Sequence, residues 1–140
     1  MQSGAAAGAA AARVAVVTGS NKGIGFEAAR KLCRLLPAGS SVYITSRDEA
    51  LGEAAAERLR EEGLMVRMHQ LDITDDTSVA ALRDHIATQH GGLDILINNA
   101  GFAYKAAATE PAGVQARGTI AVNVHGTRRV CDALLPLVRH

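Results

Sequence analysis

Short apolar, β-branched runs alternate with helical stripes along this chain, and that alternation restricts the fold more than any other feature of the sequence. The run VAVV, Val14–Val17, reads as a strand buried on both faces. The glycine-rich stretch TGSNKGIG ends it. Ile24, Ala28, Leu32, Leu35 and Leu36 then recur at helical spacing until Pro37 and Gly39 stop the helix. A second strand is predicted over residues 42–45. The segment EALGEAAAERLREEG follows as a helix with Leu51, Ala55 and Leu59 on its apolar stripe and Gly63 beyond its end. Residues 65–71 read as a third strand. Residues 75–90 form a helix with Val79, Leu82 and Ile86 on one face, stopped by Gly91 and Gly92. A fourth strand covers residues 93–97, and a last helix is predicted over about residues 114–137, after the loop containing Pro111.

Such alternation with short connections is the pattern of a doubly wound parallel α/β sheet. The 140 residues, 48% of them hydrophobic, are enough for one domain with a sizeable core, taken as residues 13–140. Residues 1–12 are alanine-rich, lack a basic leader, and read as a disordered extension. Fifteen basic and fourteen acidic residues leave no basic block, which argues against nucleic acid as a partner. No run approaches a membrane span. Cys33 and Cys131 match no metal or redox spacing and fit a reducing, cytoplasmic setting. His69, His85, His90, His125 and His140 show no ligand spacing, so no metal is expected.

In a parallel α/β sheet, ligands bind outside the carboxyl ends of the strands, and the first strand-to-helix turn is the favoured phosphate site. TGSNKGIG stands in that turn. Gly19, Gly23 and Gly25 would let a pyrophosphate approach the helix N-terminus, although the same glycines could serve only a tight turn that packs helix on strand. The spacing is neither the Gly-x-Gly-x-x-Gly fingerprint nor a P-loop. At the end of the second strand, TSRD offers both a cation, Arg47, and a carboxylate, Asp48. Lys22 adds a second cation at that corner, which suits a 2'-phosphate dianion better than a ribose hydroxyl.

Three more segments join this loop: LDI at residues 71–73, NNAG at 98–101, and VNVHGT with Asn123 inside the last helix. Together they resemble the short-chain dehydrogenase/reductase family. Across nearly the whole chain from Arg13, the segments NKGIG, LCRLL, TSRD, HQLDI, GGLDILINNAG, FAYK and RRVCDALLPLV are similar to its cytosolic NADPH-dependent carbonyl reductases. The resemblance implies a Rossmann-like fold cut before its fifth strand, NADP(H) as cofactor, small-molecule carbonyl substrates and monomeric full-length relatives. It places Asn21, Lys22 and Arg47 around the 2'-phosphate and makes Gly19, Gly23, Ile24 and Gly25 cofactor-binding residues of the glycine loop. Asp72 and Ile73 would border the adenine and Asn99 would line the cleft, while Asn98 is expected to hold neighbouring strands together.

Carbonyl reduction needs a proton donor near the developing alkoxide. The family uses a tyrosine in Tyr-x-x-x-Lys, with a serine and an asparagine. The residues four beyond Tyr43 and Tyr104 are Arg47 and Ala108, so neither tyrosine makes that motif. Asn123 is the one member of the catalytic group present, and an asparagine inside a helix needs a reason, which could equally be a kink packed on the sheet. Two readings follow: the cofactor-binding half of an oxidoreductase, or a cofactor- or partner-binding module without catalysis.

Overall fold

The computed structural model describes residues 10–140. Of the extension expected to be disordered, residues 1–9 lie outside the described residues, and 10–12 are exposed and outside any element. Four strands form one parallel sheet in the order β3-β2-β1-β4: β1 Val14–Val17, β2 Ser41–Ser46, β3 Val66–Gln70 and β4 Ile95–Ile97. Between them run α1 Gly23–Leu35, α2 Glu49–Glu61 and α3 Asp76–His90. The doubly wound α/β class is therefore the observed one.

β1 is central because both its neighbours come from it by opposite routes: the chain steps outward through β2 and β3, then returns to place β4 on the other side. That reversal between β1 and β4 opens a crevice at the carboxyl ends of the strands. Strand periodicity sorts the core into two layers. Val14, Val16 and Tyr43 face Leu82, Ile86, Val130 and Leu134, whereas Ala15, Val17, Val42 and Ile44 face Phe26, Ala29, Ala56 and Leu59. Leu59 and Leu82 are fully buried, and burying a side chain of this size is worth about 1.5–3 kcal/mol.

The helical faces differ from the sequence reading at their ends. Ile24, Leu35 and Leu51 are 83%, 65% and 57% exposed. Ile24 and Leu51 occupy first turns that overhang the carboxyl edge of the sheet, and the buried row of α1 runs through Phe26 and Ala29, which turns Leu35 outward. Leu93 precedes β4 rather than opening it.

The long last helix is also broken. It comprises α4 Ala112–Ile120, a π-helical turn Ala121–Gly126, α5 Thr127–Leu134 and a final 3-10 turn Leu135–Leu137. Beyond it, Val138 pairs in parallel with Leu93: Leu93 N donates to Leu137 O at 2.8 Å and Arg139 N donates to Leu93 O at 2.8 Å. The chain thus enters a fifth-strand position beside the start of β4, one step further than the sequence reading carried it.

Candidate functional site

The glycine loop is bolted to strands on both sides. Ser20 N donates to Thr45 O at 2.9 Å, Ser20 Oγ donates to Val17 O at 2.7 Å and accepts from Thr45 N at 2.9 Å, and Gly19 N donates to Thr45 Oγ1 at 3.1 Å. Thr18 Oγ1 accepts from Asn99 N at 3.0 Å and Ala100 N at 2.9 Å, which fastens the loop to the segment after β4. Gly19 has φ +58°, and a Cβ there would sit 2.8 Å from Ala100 Cα, so only glycine fits. Gly23 has φ +62° but no atom within 4 Å of its Cβ position: the backbone there opens onto free space. A Cβ on Gly25 would collide with Asn99 Nδ2 and lie 2.8 Å from Gly19 O.

Helix α1 begins at Gly23 with no side-chain cap and no acidic residue in its first turn. Its leading N–H groups and the positive end of its dipole therefore face the crevice without a protein anion to balance them. Asn21 is half-buried in the loop, and Lys22 and Ile24 are exposed. The residues present fit an anionic dinucleotide: an open glycine, an uncapped helix start and a cation at its cap position.

The adjoining corner resolves the choice offered by TSRD. Asp48 is committed to capping α2, its Oδ1 accepting from Leu51 N at 3.0 Å, whereas Arg47 is exposed. Among the described residues neither Lys22 nor Arg47 forms an ion pair. Asp72 Oδ1 accepts from Thr74 N at 2.9 Å and Thr74 Oγ1 at 2.6 Å. Those two bonds, with a smaller contribution from the Arg47 charge, hold its carboxyl below the usual carboxylate range. The Ile73 side chain is only 5% exposed and lies in the core against Gly126, whose Cβ position would be 2.8 Å from Ile73 Cγ1.

In the NNAG segment the tie expected of Asn98 is made by Asn99. Asn98 is exposed, with one weak bond to Cys131 Sγ at 3.4 Å. Asn99 makes the cross-strand tie, Nδ2 donating to Thr18 O at 3.2 Å and Gly19 O at 3.0 Å, and so forms the floor between the two loops. Asn123, in the π-helical turn, accepts from Phe102 N at 2.7 Å through Oδ1 and donates to Phe102 O at 2.8 Å through Nδ2. The helical asparagine is explained by this double bond, which pins the loop after NNAG. The π-turn is the local distortion that delivers it.

One cluster left no trace in sequence spacing. Tyr43, 1% exposed, meets His85 Nε2 at 3.1 Å and His90 Nε2 at 2.8 Å through its hydroxyl, and the His69 ring lies 5.0 Å from that of His85. The residues come from β2, β3 and α3, so no local pattern links them. Among the described residues no group of three or more potential ligands is arranged to hold a metal ion. Tyr104 packs edge-on to Phe102 at 4.9 Å and lies against Gly118. An open groove of about 690 Å³ between α3 and α5 is lined by Asp76, Arg128, Arg129 and Asp132. Arg128 and Arg129 are already paired with Asp132 and Asp76, and Arg83, which also lines it, with Asp84, so it offers an anion less than the glycine loop does. No helix among the described residues is long and apolar enough to cross a membrane.

A parallel sheet with this glycine turn at β1 and NNAG after β4 defines a nucleotide-binding dehydrogenase fold, and the profile of the short chain dehydrogenase family matches residues 13–140. The chain belongs to that family. It is 52% identical over 126 residues to carbonyl reductase [NADPH] 1 of Bos taurus, covering 90% of this chain and 45% of that protein. It is 49% identical over 127 residues to carbonyl reductase [NADPH] 3 of Mus musculus, again with 45% of that protein covered. The chain thus spans a little under half the length of these relatives. Among solved structures, menthone neomenthol reductase from Mentha piperita superposes with TM-score 0.79 at 39% identity, covering 92% of this chain and 57% of that one. A metagenomic short-chain oxidoreductase in complex with NADP does so with TM-score 0.73 at 33% identity, covering 89% and 56%.

Proposed function

We propose that this chain carries the cofactor-binding part of an NADPH-dependent carbonyl reductase. The observation behind the reading is the uncapped start of α1 beside two exposed cations, Lys22 and Arg47, that form no ion pair among the described residues. A helix N-terminus suits a pyrophosphate and paired cations suit a 2'-phosphate. The carbonyl reductases to which the chain is similar carry NADPH in their names. Gly19, Gly23, Ile24 and Gly25 would hold the pyrophosphate, Asn21, Lys22 and Arg47 the 2'-phosphate, Asp72 and Ile73 the adenine, and Asn99 the cleft floor. The bound cofactor supplies a hydride.

The chain's own contribution is to bind and orient. The loop N–H groups fix the phosphate end, and Asn123 fixes the loop after β4 through Phe102. We assign Asn123 to the proton path of a complete enzyme acting on small-molecule carbonyls, and a cytoplasmic, monomeric protein goes with the same reading. A second reading, a binding module without catalysis, draws support from the tyrosines: Tyr43 is buried under α3, and Tyr104 packs on Gly118 with Ala108 four residues on.

Titration with the two nicotinamide cofactors tests the cofactor assignment. Lys22→Ala or Arg47→Ala is expected to weaken NADPH by about 1.5–3 kcal/mol, the usual worth of hydrogen bonds to charged groups, and to leave NADH nearly unchanged. Equal losses for both cofactors would refute it.

A further inference from the structure

The ladder between β2 and β3 ends at the pair Ser46 and Gln70, with Leu71 N donating to Ser46 O at 2.9 Å as its last rung. Arg47 and Asp72, the two charged groups of the adenosine corner, stand just beyond that ladder. Side chains hold them instead. Gln70 Nε2 donates to Arg47 O at 3.2 Å, and Ser78 Oγ, in the first turn of α3, donates to Gln70 Oε1 at 2.7 Å and accepts from Asp72 N at 2.8 Å. The Ser78 residue is 7% exposed, so its hydroxyl has little access to water as a substitute partner.

Each polar atom in this relay has one assigned job. The Gln70 amide spends its N–H on the Arg47 carbonyl and its oxygen on Ser78; the Ser78 hydroxyl spends its proton on Gln70 and a lone pair on Asp72. From these bonds we infer that Gln70 and Ser78 are positioning residues that fix the Arg47 and Asp72 backbones relative to each other, and thereby set the preference for a 2'-phosphate over a bare ribose. The physical need is clear from the charges. A guanidinium and a carboxylate at adjacent strand ends attract one another, and an Arg47–Asp72 ion pair would neutralise the cation that a phosphate requires. With their backbones held in a fixed relation by this relay, Arg47 stays unpaired among the described residues while Asp72 keeps its bonds to Thr74. The inference rests on the NADP(H) reading of this corner.

Calorimetric titration of the 140-residue chain with adenosine 2',5'-bisphosphate and with 5'-AMP provides the test, because the ratio of the two dissociation constants reads the 2'-phosphate alone. Gln70→Met and Ser78→Ala are each expected to lower the wild-type discrimination about five- to tenfold, in line with the loss of one or two hydrogen bonds. The double variant should lose no more than the worse single one, since the two act in series. Ser78→Thr, which keeps the hydroxyl, should stay within about twofold of wild type. A lowered melting temperature with an unchanged ratio would show a merely structural relay and overturn the inference, and Gln70→Met, being partly exposed, reports even if Ser78→Ala does not fold. Arg47→Ala separates the two levels of the argument. If it collapses the ratio while the relay variants do not, the relay fails alone; if it leaves the ratio unchanged, the reading of the corner fails with it.

Discussion

Gly19 and Gly23 both have left-handed backbones, yet their surroundings differ, and single substitutions should separate structure from binding. At Gly19 an added methyl meets backbone at Ala100, so Gly19→Ala is expected to destabilise by about 2 kcal/mol or more and to disrupt the loop. At Gly23 the methyl meets nothing, so Gly23→Ala should incur only the conformational strain of about 1 kcal/mol while it intrudes where a ligand would lie. Urea unfolding and cofactor titration of the two variants give the comparison. An equal ratio of binding loss to stability loss at both positions would contradict it. Asn123 invites a similar experiment. Asn123→Ala removes both bonds to Phe102 and is expected to lower stability by about 1–2 kcal/mol, whereas Asn123→Asp keeps the acceptor for Phe102 N but sets a carboxylate oxygen against Phe102 O, so it should lose at least as much.

Among the elements, the docking of α3 on the sheet depends on pH through the cluster around Tyr43. Burial is the largest cause holding His85 and His90 below the ordinary histidine value, with Arg67 and His69 adding to it for His85, and Arg67, His85 and Arg139 for His90. A base with a depressed folded value binds protons more readily when unfolded. Its contribution is complete above the unfolded value of about 6.5 and is lost as pH falls from there through the folded values. Stability should therefore decline as pH falls below about 6.5, earlier than the carboxylates Asp72 and Glu62 would require. Replacing both histidines with glutamine should flatten that part of the profile, and an unchanged slope in thermal melts would rule the cluster out as its source.

The same elements mark how far the sequence could be read. Strands buried on both faces announce themselves as runs such as VAVV, and the Gly91 turn ends its helix where expected. The π-turn was hidden because its residues are ordinary helix formers apart from Asn123, and its cause lies twenty-one positions away at Phe102. The Tyr43 cluster and the Gln70–Ser78 relay were hidden for the same reason: each is assembled from separate elements by the sheet. Asn99 displaced Asn98 as the tie because the parity of the chain after β4 turns the second amide, not the first, towards Thr18 and Gly19.

At the scale of the molecule, binding and chemistry are expected to come apart. The groups we propose for the phosphate and adenine ends of a dinucleotide lie within these 140 residues, but no tyrosine among them is followed at the fourth position by lysine. The chain by itself is therefore expected not to oxidise NADPH in the presence of a quinone, since a positioned acid alone is typically worth about 10² to 10⁴ in rate. Absorbance at 340 nm, compared with a chain extended through a Tyr-x-x-x-Lys segment, gives the measurement. Equal turnover by both would require an acid among the residues described.

Two of the ties between the glycine loop and NNAG join positions 81 and 82 apart through a single threonine hydroxyl. Closing a loop of that length, which the pairing of β1 with β4 also requires, costs chain entropy that local helices do not incur, so this contact is expected to form late in folding. A ligand spanning both loops would recognise only the closed sheet and would draw the population towards it by mass action. The yield of native protein is then expected to rise with the concentration of such a ligand.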